Sequence, residues 1–93
     1  MIRREGDRVV VEGAVTLDTV PALASALEEL LAAGSATVDL GKVTEVDSSA
    51  VALVLEWRRL AESRKLALRL ANAPAALLNL AKLYGVLELL PGR

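Results

Sequence analysis

The chain contains no cysteine, no histidine and no phenylalanine. Without Cys there is no disulfide framework and no thiol nucleophile. Without Cys and His there is no zinc site of the usual nitrogen and sulfur type, and no Ser-His-Asp triad. Aromatic surface is nearly absent, with one Trp and one Tyr in 93 residues. Neither sign of charge dominates. The formal net charge of −1 excludes the strongly basic footprint of a nucleic-acid binder. No apolar run approaches the roughly 20 residues that a membrane span needs. A long greasy stretch, Ala73–Leu83, is interrupted by Asn79 and Lys82. The start of the chain, Met-Ile-Arg-Arg-Glu-Gly-Asp, lacks the apolar region of a signal peptide, so a cytoplasmic protein is expected. What the chain has in surplus is aliphatic. Leu, Ala and Val account for 46 of the 93 residues. The length suits a single domain over residues 1–93, large enough to hold a core without staples.

The pattern along the chain alternates strands and helices. Gly6-Asp7 offers a turn between a short strand at Ile2–Glu5 and a β-branched strand from Arg8 to Glu12 that ends at Gly13. Asp18-Thr19 before Val20-Pro21 is a helix start. Val20, Leu23, Ala24, Leu27, Leu30 and Leu31 follow at helical spacing, and Gly34 is placed to cap the end. Ala36–Leu40 reads as a strand closed by Gly41, and Val43–Val46 as a connection. A long helix runs from Asp47-Ser48-Ser49 to about Ser63. Lys65–Leu70 reads as a strand. Asn72-Ala73-Pro74 opens a third helix through about Tyr84, stopped by Gly85. Leu87–Pro91 is either a helical turn or an edge strand. The order β-β-α-β-α-β-α predicts an α/β fold: a small mixed four-stranded β-sheet, an opening hairpin followed by parallel crossover units, and three to four helices.

The helices carry more aliphatic residues than one core-facing stripe needs. On a wheel of about 100° per residue, Leu60, Leu53, Trp57, Ala50, Ala61 and Val54 of the second helix fill an arc about 120° wide. Val51 and Leu55 fall outside it, beside Arg58 and Glu62. In the third helix Leu77, Leu78, Ala81 and Tyr84 can share one stripe, with Leu83 and Ala76 opposite. Such extra aliphatics are either a partner surface or the scattered exposure common to folded proteins. They are covered either by Leu87–Leu90 folding back or by another protein.

Asp47-Ser48-Ser49 carries the most chemistry. Asp and Ser side chains accept the free N–H groups of a first helical turn, so one of the three serves as the cap. A hydroxyl at a helix N-terminus is also a place where a phosphate meets free N–H groups and the dipole. Glu45 and Asp47 oppose added negative charge, so phosphorylation there would act as an electrostatic switch. Asp39, Glu45 and Asp47 show no metal-ligand spacing and read as solvated loop acids. Arg3, Arg4 and Arg8, offset by Glu5 and Asp7, read as a solvated surface.

The segment Val38-Asp39-Leu40-Gly41-Lys42-Val43-Thr44-Glu45-Val46-Asp47-Ser48-Ser49-Ala50-Val51-Ala52-Leu53-Val54-Leu55 resembles the central signature of STAS domains. These are the domains of anti-sigma factor antagonists and of sulfate-transporter cytoplasmic tails. Leu80-Ala81-Lys82-Leu83-Tyr84-Gly85-Val86, followed by Leu89-Leu90-Pro91, is similar to the end of MlaB-type STAS proteins. Those are cytoplasmic subunits of a bacterial ABC transporter that moves phospholipids between the inner and outer membranes. The resemblance covers nearly the whole chain and implies the β-β-α-β-α-β-α order. It implies a non-enzymatic subunit, without cofactor or metal, that binds the transporter's ATPase at the inner face of the inner membrane. It places the family's regulatory hydroxyl on Ser48, between Asp47 and Ser49. Mla-type members tend to have Thr and Gly at this turn and antagonists Ser-Ser-Gly. This chain has Ser48-Ser49-Ala50: the Ser-Ser pair leans towards the antagonists and the tail towards Mla, so the alternative of an antagonist switched by an anti-sigma factor kinase stays open.

On this reading the partner surface is Val51, Leu55, Arg58, Arg59 and Leu83, next to Ser48. Replacement of Val51 or Leu55 by Glu is expected to leave the fold intact and abolish binding.

Overall fold

A computed structural model describes residues 1–91 of the chain. Strands β1 (Ile2–Glu5) and β2 (Arg8–Val15) form the opening hairpin, turned by Gly6 at φ +65°. Helix α1 (Val20–Leu30) continues into a 3₁₀ turn at Leu31–Ala33. Strand β3 (Ala36–Val46), helix α2 (Ser48–Ser63), strand β4 (Leu68–Ala71) and helix α3 (Ala75–Leu83) follow. A 3₁₀ turn at Leu87–Leu89 comes last. The sheet order is β1-β2-β3-β4, with β1/β2 antiparallel and β2/β3 and β3/β4 parallel. Both parallel connections step the same way across the sheet. Right-handed crossovers therefore place α1 and α2 on one face.

The fold class expected from the sequence is the one found, with two strands longer than expected. β2 does not end at Gly13. Gly13 takes φ +88° at a register shift, and the strand resumes through Val15. β3 likewise runs through Gly41, so Val43–Val46 is strand rather than connection. The last strand is shorter. Lys65 adopts φ +57° as α2 turns off, and pairing begins at Leu68. Leu87–Leu89 resolves as a helical turn.

The two faces of the sheet differ in kind. The covered face sends Val9, Val11, Val38, Leu40, Leu68 and Leu70 against the helices. No polar or charged residue is buried among the described residues. The open face is a ladder of ion pairs: Arg3 with Glu5 and Glu12, Lys42 with Glu12, and Arg8 with Asp39 at 2.7 Å. The Arg3-Arg4-Arg8 group is therefore not simply solvated. Arg4 points the other way and donates to the carbonyls of Leu30, Gly34 and Ser35, closing the end of α1.

Helix α2 corrects the sequence-derived arc. Val51 is 4% exposed and belongs to the core together with Ala50, Leu53, Val54, Trp57 and Ala61. The flank of α2 that carries Val51 is the one approached by α3 and the final turn. Val54 shares a pit with Pro74 and Leu77, and Leu55 a groove with Leu89. The wheel treated α2 as lying on the sheet alone. A helix wedged between the sheet and a second helix buries a wider arc. The final segment does not fold back over the Leu83 side of α3: Leu90 is buried beside α2 and Val86 and Leu87 pack on the core, while Ala76 and Leu83 stay exposed.

Candidate functional site

Two loops meet at the carboxyl ends of β2 and β3, Thr16–Thr19 and the Asp47 turn, and Pro74 after β4 reaches the same end through a pit shared with Val15, Val46 and Ala50. In open α/β sheets this end is where ligands and partners dock. The Thr16–Thr19 loop is pinned from within. The Thr19 hydroxyl accepts from the backbone N–H of Thr16 at 2.9 Å and donates to the carbonyl of Ala14. It is spent on the loop, and α1 starts without a side-chain cap.

Asp47 is the cap of α2. One carboxylate oxygen accepts from the backbone N–H of Ser49 at 2.8 Å. The other accepts from the backbone N–H of Leu17 at 3.0 Å. Hydrogen bonds to the charged form favour it. The Leu17 N–H, and after it that of Ser49, hold the Asp47 carboxyl below its usual range. The choice among three capping residues is thereby resolved, and Ser48 is released from that duty. Ser48 is exposed as the first residue of α2, and its hydroxyl makes no hydrogen bond among the described residues. Ser49 is half-buried behind it.

The remaining expected contact residues do not gather around Ser48. Val51 is inside the core. Leu55 is half-buried and lines a groove with Arg58, Arg59, Glu62 and Leu89. Arg58 is paired with Glu62 at 2.8 Å, and Arg59 with Glu56. These are solvent-screened helix pairs, so either arginine can be recruited elsewhere at small cost. Leu83 is 76% exposed, in the last turn of α3, with Tyr84 and Leu89 also exposed. α3 starts at the Ser48 end of the sheet and runs away from it, so Leu83 lies about 12 Å along that helix from its start. The expected single face is divided into a rim at Ser48, a groove at Leu55 and Leu89, and Leu83 exposed at the end of α3.

The residue that sequence reasoning missed is Leu17. It is 72% exposed, and its backbone is tied to Asp47. The available signal was a lone aliphatic in Thr16-Leu17-Asp18-Thr19, between a strand and a helix start, where no core position is due. The acids singled out in the sequence also separate. Asp39 lies on the open face, where it accepts from the Gly41 N–H, Asn72 and Arg8. Asp47 caps α2, and Glu45 is exposed. Among the described residues no three acids are grouped to hold a metal ion. No helix among them is long and apolar enough to cross a membrane.

The chain matches the family described as "Mlab, STAS domain" over residues 1–91. It belongs to this MlaB-type STAS family. Its structure superposes on the anti-sigma factor antagonist SpoIIAA in its unphosphorylated form with a TM-score of 0.71 and 16% sequence identity. That alignment covers 100% of this chain and 86% of the other. The crystal structure of Mglu is similar with a TM-score of 0.63 and 23% identity, over 81% of this chain and 19% of Mglu. A structure of Mglu in its native form gives 0.56 and 21%, over 75% of this chain and 22% of that one. The STAS chain thus spans about a fifth of Mglu's length. At these identities the likeness establishes the fold. No curated protein matches the chain.

Proposed function

We infer that this STAS chain is a non-catalytic binding subunit. Its partner is the ATPase of a bacterial phospholipid-transporting ABC complex, whose assembly or activity it supports from the cytoplasmic side of the inner membrane. Family membership over residues 1–91 supports the transporter branch. The observation that carries the choice of surface is the division of labour at the α2 N-terminus. Asp47 does the capping, which leaves an unengaged Ser48 hydroxyl at an exposed helix start. A hydroxyl that helix stability does not require is free to contact a partner. The test is reconstitution with the ATPase subunit from the same genome, with complex formation followed by calorimetry and ATP hydrolysis measured with and without the STAS chain. A stoichiometric complex is expected, and Ser48→Glu is expected to weaken it. Absence of any complex at high micromolar concentration defeats the reading.

The alternative is an antagonist released from its anti-sigma factor when a kinase phosphorylates Ser48. Its support is the fold shared with SpoIIAA along the whole chain and the accessible hydroxyl. A phosphate on Ser48 would meet the free N–H groups of α2 on one side and Glu45 and Asp47 on the other. Intact-mass spectrometry after incubation with the candidate kinase and ATP separates the two. A gain of one phosphate that is lost in Ser48→Ala favours the antagonist.

A further inference from the structure

Among the described residues, no cation lies on the rim around Ser48. Between Arg8 and Lys42 the sequence holds five acids, Glu12, Asp18, Glu28, Glu29 and Asp39, and no Lys or Arg. Between Lys42 and Arg58 it holds Glu45, Asp47 and Glu56, and again no cation. These two stretches supply α1, the loop before it, the end of β3 and the first turns of α2. Pro74, which shares a pit with Val46 and Ala50, adds no charge. The cations of the described residues sit elsewhere, Arg64 and Lys65 past the end of α2, Arg69 in β4 and Lys82 in the last turn of α3. Arg3, Arg8 and Lys42 are paired on the open face of the sheet, Arg4 is at the far end of α1, and Arg58 and Arg59 are paired further along α2. Asp18 and Glu45 are exposed and form no ion pair among the described residues. Among these unbalanced acids stands one large apolar side chain, Leu17, 72% exposed and held by its backbone to Asp47.

An exposed aliphatic side chain on a tethered backbone, with the unpaired carboxylates of Asp18 and Glu45 on the same rim, is complementary to an apolar hollow edged with Lys or Arg. It is the wrong surface for an anionic membrane, a nucleotide or a nucleic acid, each of which it repels. We propose that the rim docks a basic protein surface, that Leu17 inserts into an apolar hollow of that surface, and that Asp18 and Glu45 face its cations. This rests on the binding role inferred above and adds the chemistry of the partner. Leu17 is the anchor, because a desolvated apolar side chain at the centre of a contact governs the off-rate. Asp18 and Glu45 steer the approach and govern the on-rate. Asp47 positions Leu17.

The test has two arms. In the first, the reconstituted ATPase subunit is titrated with wild type, Leu17→Ala and the double variant Asp18→Lys/Glu45→Lys. All three changes are at exposed positions, and circular dichroism checks that each variant folds. Leu17→Ala is expected to raise the off-rate about tenfold or more. The double variant is expected to lower the on-rate about tenfold at low salt, with the difference shrinking as salt is added. Wild-type rates for both variants, or faster association of the double variant, overturn the proposal. In the second arm, labelled protein is titrated with a short peptide of alternating Arg and Leu, and with its Glu-for-Arg counterpart. Amide shifts confined to Leu17, Asp18, Glu45 and Ser48–Ala52, seen with the Arg peptide alone, support the proposal. No shifts, shifts elsewhere, or equal shifts with both peptides overturn it. If the ATPase fails to bind wild type, the proposed function falls, and the peptide arm still decides the rim.

Discussion

The Asp47 carboxylate reaches the backbone N–H of Leu17, thirty residues earlier in the chain, across 3.0 Å. Its other oxygen holds the first turn of α2 through Ser49. One side chain therefore joins the loop that carries the exposed leucine to the helix that carries the exposed hydroxyl. It leaves both of those groups outside the bond network. Asp47→Ala is expected to lower the thermal unfolding midpoint through loss of the cap. It is also expected to speed hydrogen exchange at the Leu17 amide more than at amides of the sheet. Unchanged Leu17 exchange would show that the loop holds itself.

Glu12, Asp39, Asp47 and Glu56 are all held below the usual carboxyl range, and Asp39 and Asp47 are the two held by backbone N–H groups. Asp39 is held below its usual range by the Gly41 N–H, then Asn72 and then Arg8. Asp47 is held low by the Leu17 and Ser49 N–H groups. A carboxyl whose folded pKa is depressed adds stability that is fully present above its unfolded value of about 3.9 and is lost as pH falls through the folded pKa. Stability should therefore change little between neutral pH and about 5, then fall steeply below about 4. In Asp39→Asn/Asp47→Asn the fall should be shallower and the neutral-pH stability lower. Urea midpoints at a series of pH values, read on Trp57 fluorescence, test both halves.

Val51 and Leu55 are one helical turn apart and should respond differently to the same change. Val51→Glu places an unpaired charge in the core, and such a group costs several kcal/mol against a total stability of about 5–15 kcal/mol. The variant is expected to unfold or aggregate. Val51→Ala removes two buried methyl groups and should cost about 2 kcal/mol. Leu55→Glu, on the half-buried edge beside Arg58 and Arg59, should stay folded. Denaturant curves separate the two sites. A folded Val51→Glu protein would mean that α3 does not cover that flank in solution.

Most of the fold was legible because single elements state it locally. Val20-Pro21 opens α1, Gly6 turns the hairpin, and the acid and two serines at 47–49 start α2. What was not legible depends on neighbours. Gly41 reads as a stop, yet β3 passes through it because β2 continues alongside as far as Val15. Val51 reads as exposed on an isolated wheel and is buried because α3 returns along α2. The site divides in the same way. Asp47-Ser48-Ser49 is visible as a helix start in any register. The link from Asp47 to Leu17 spans thirty positions, and no periodicity announces it.

Arg4 shows the same dependence on tertiary context, and it can be tested apart from the site. Its guanidinium donates to the carbonyls of Leu30 at 3.1 Å, Gly34 at 3.0 Å and Ser35 at 2.8 Å. The last carbonyls of a helix have no partners of their own, and these three converge on one planar fork. Arg4→Ala should cost about 1–2 kcal/mol. Arg4→Lys should recover little of it, since an ammonium cannot span the three acceptors. Full rescue by Lys would reduce the interaction to simple charge at the helix end.

Trp57 supplies the last test. Its ring is buried, and its indole N–H finds no acceptor among the described residues. The neighbouring pit is lined by Val15, Leu40, Val43, Val46, Pro74 and Leu77, none of which offers a polar side chain. A buried donor without a partner costs about 1–3 kcal/mol. Trp57→Phe removes that penalty together with part of the buried ring. The two effects oppose each other, and the net change should be within about 1 kcal/mol. Trp57→Ala loses the packing without relief and should cost about 3–5 kcal/mol. The wild-type indole, buried among aliphatic side chains, should emit at short wavelength and shift red on unfolding. A Phe variant destabilised as much as the Ala variant would show that the N–H is satisfied in solution, and that the pit holds an acceptor.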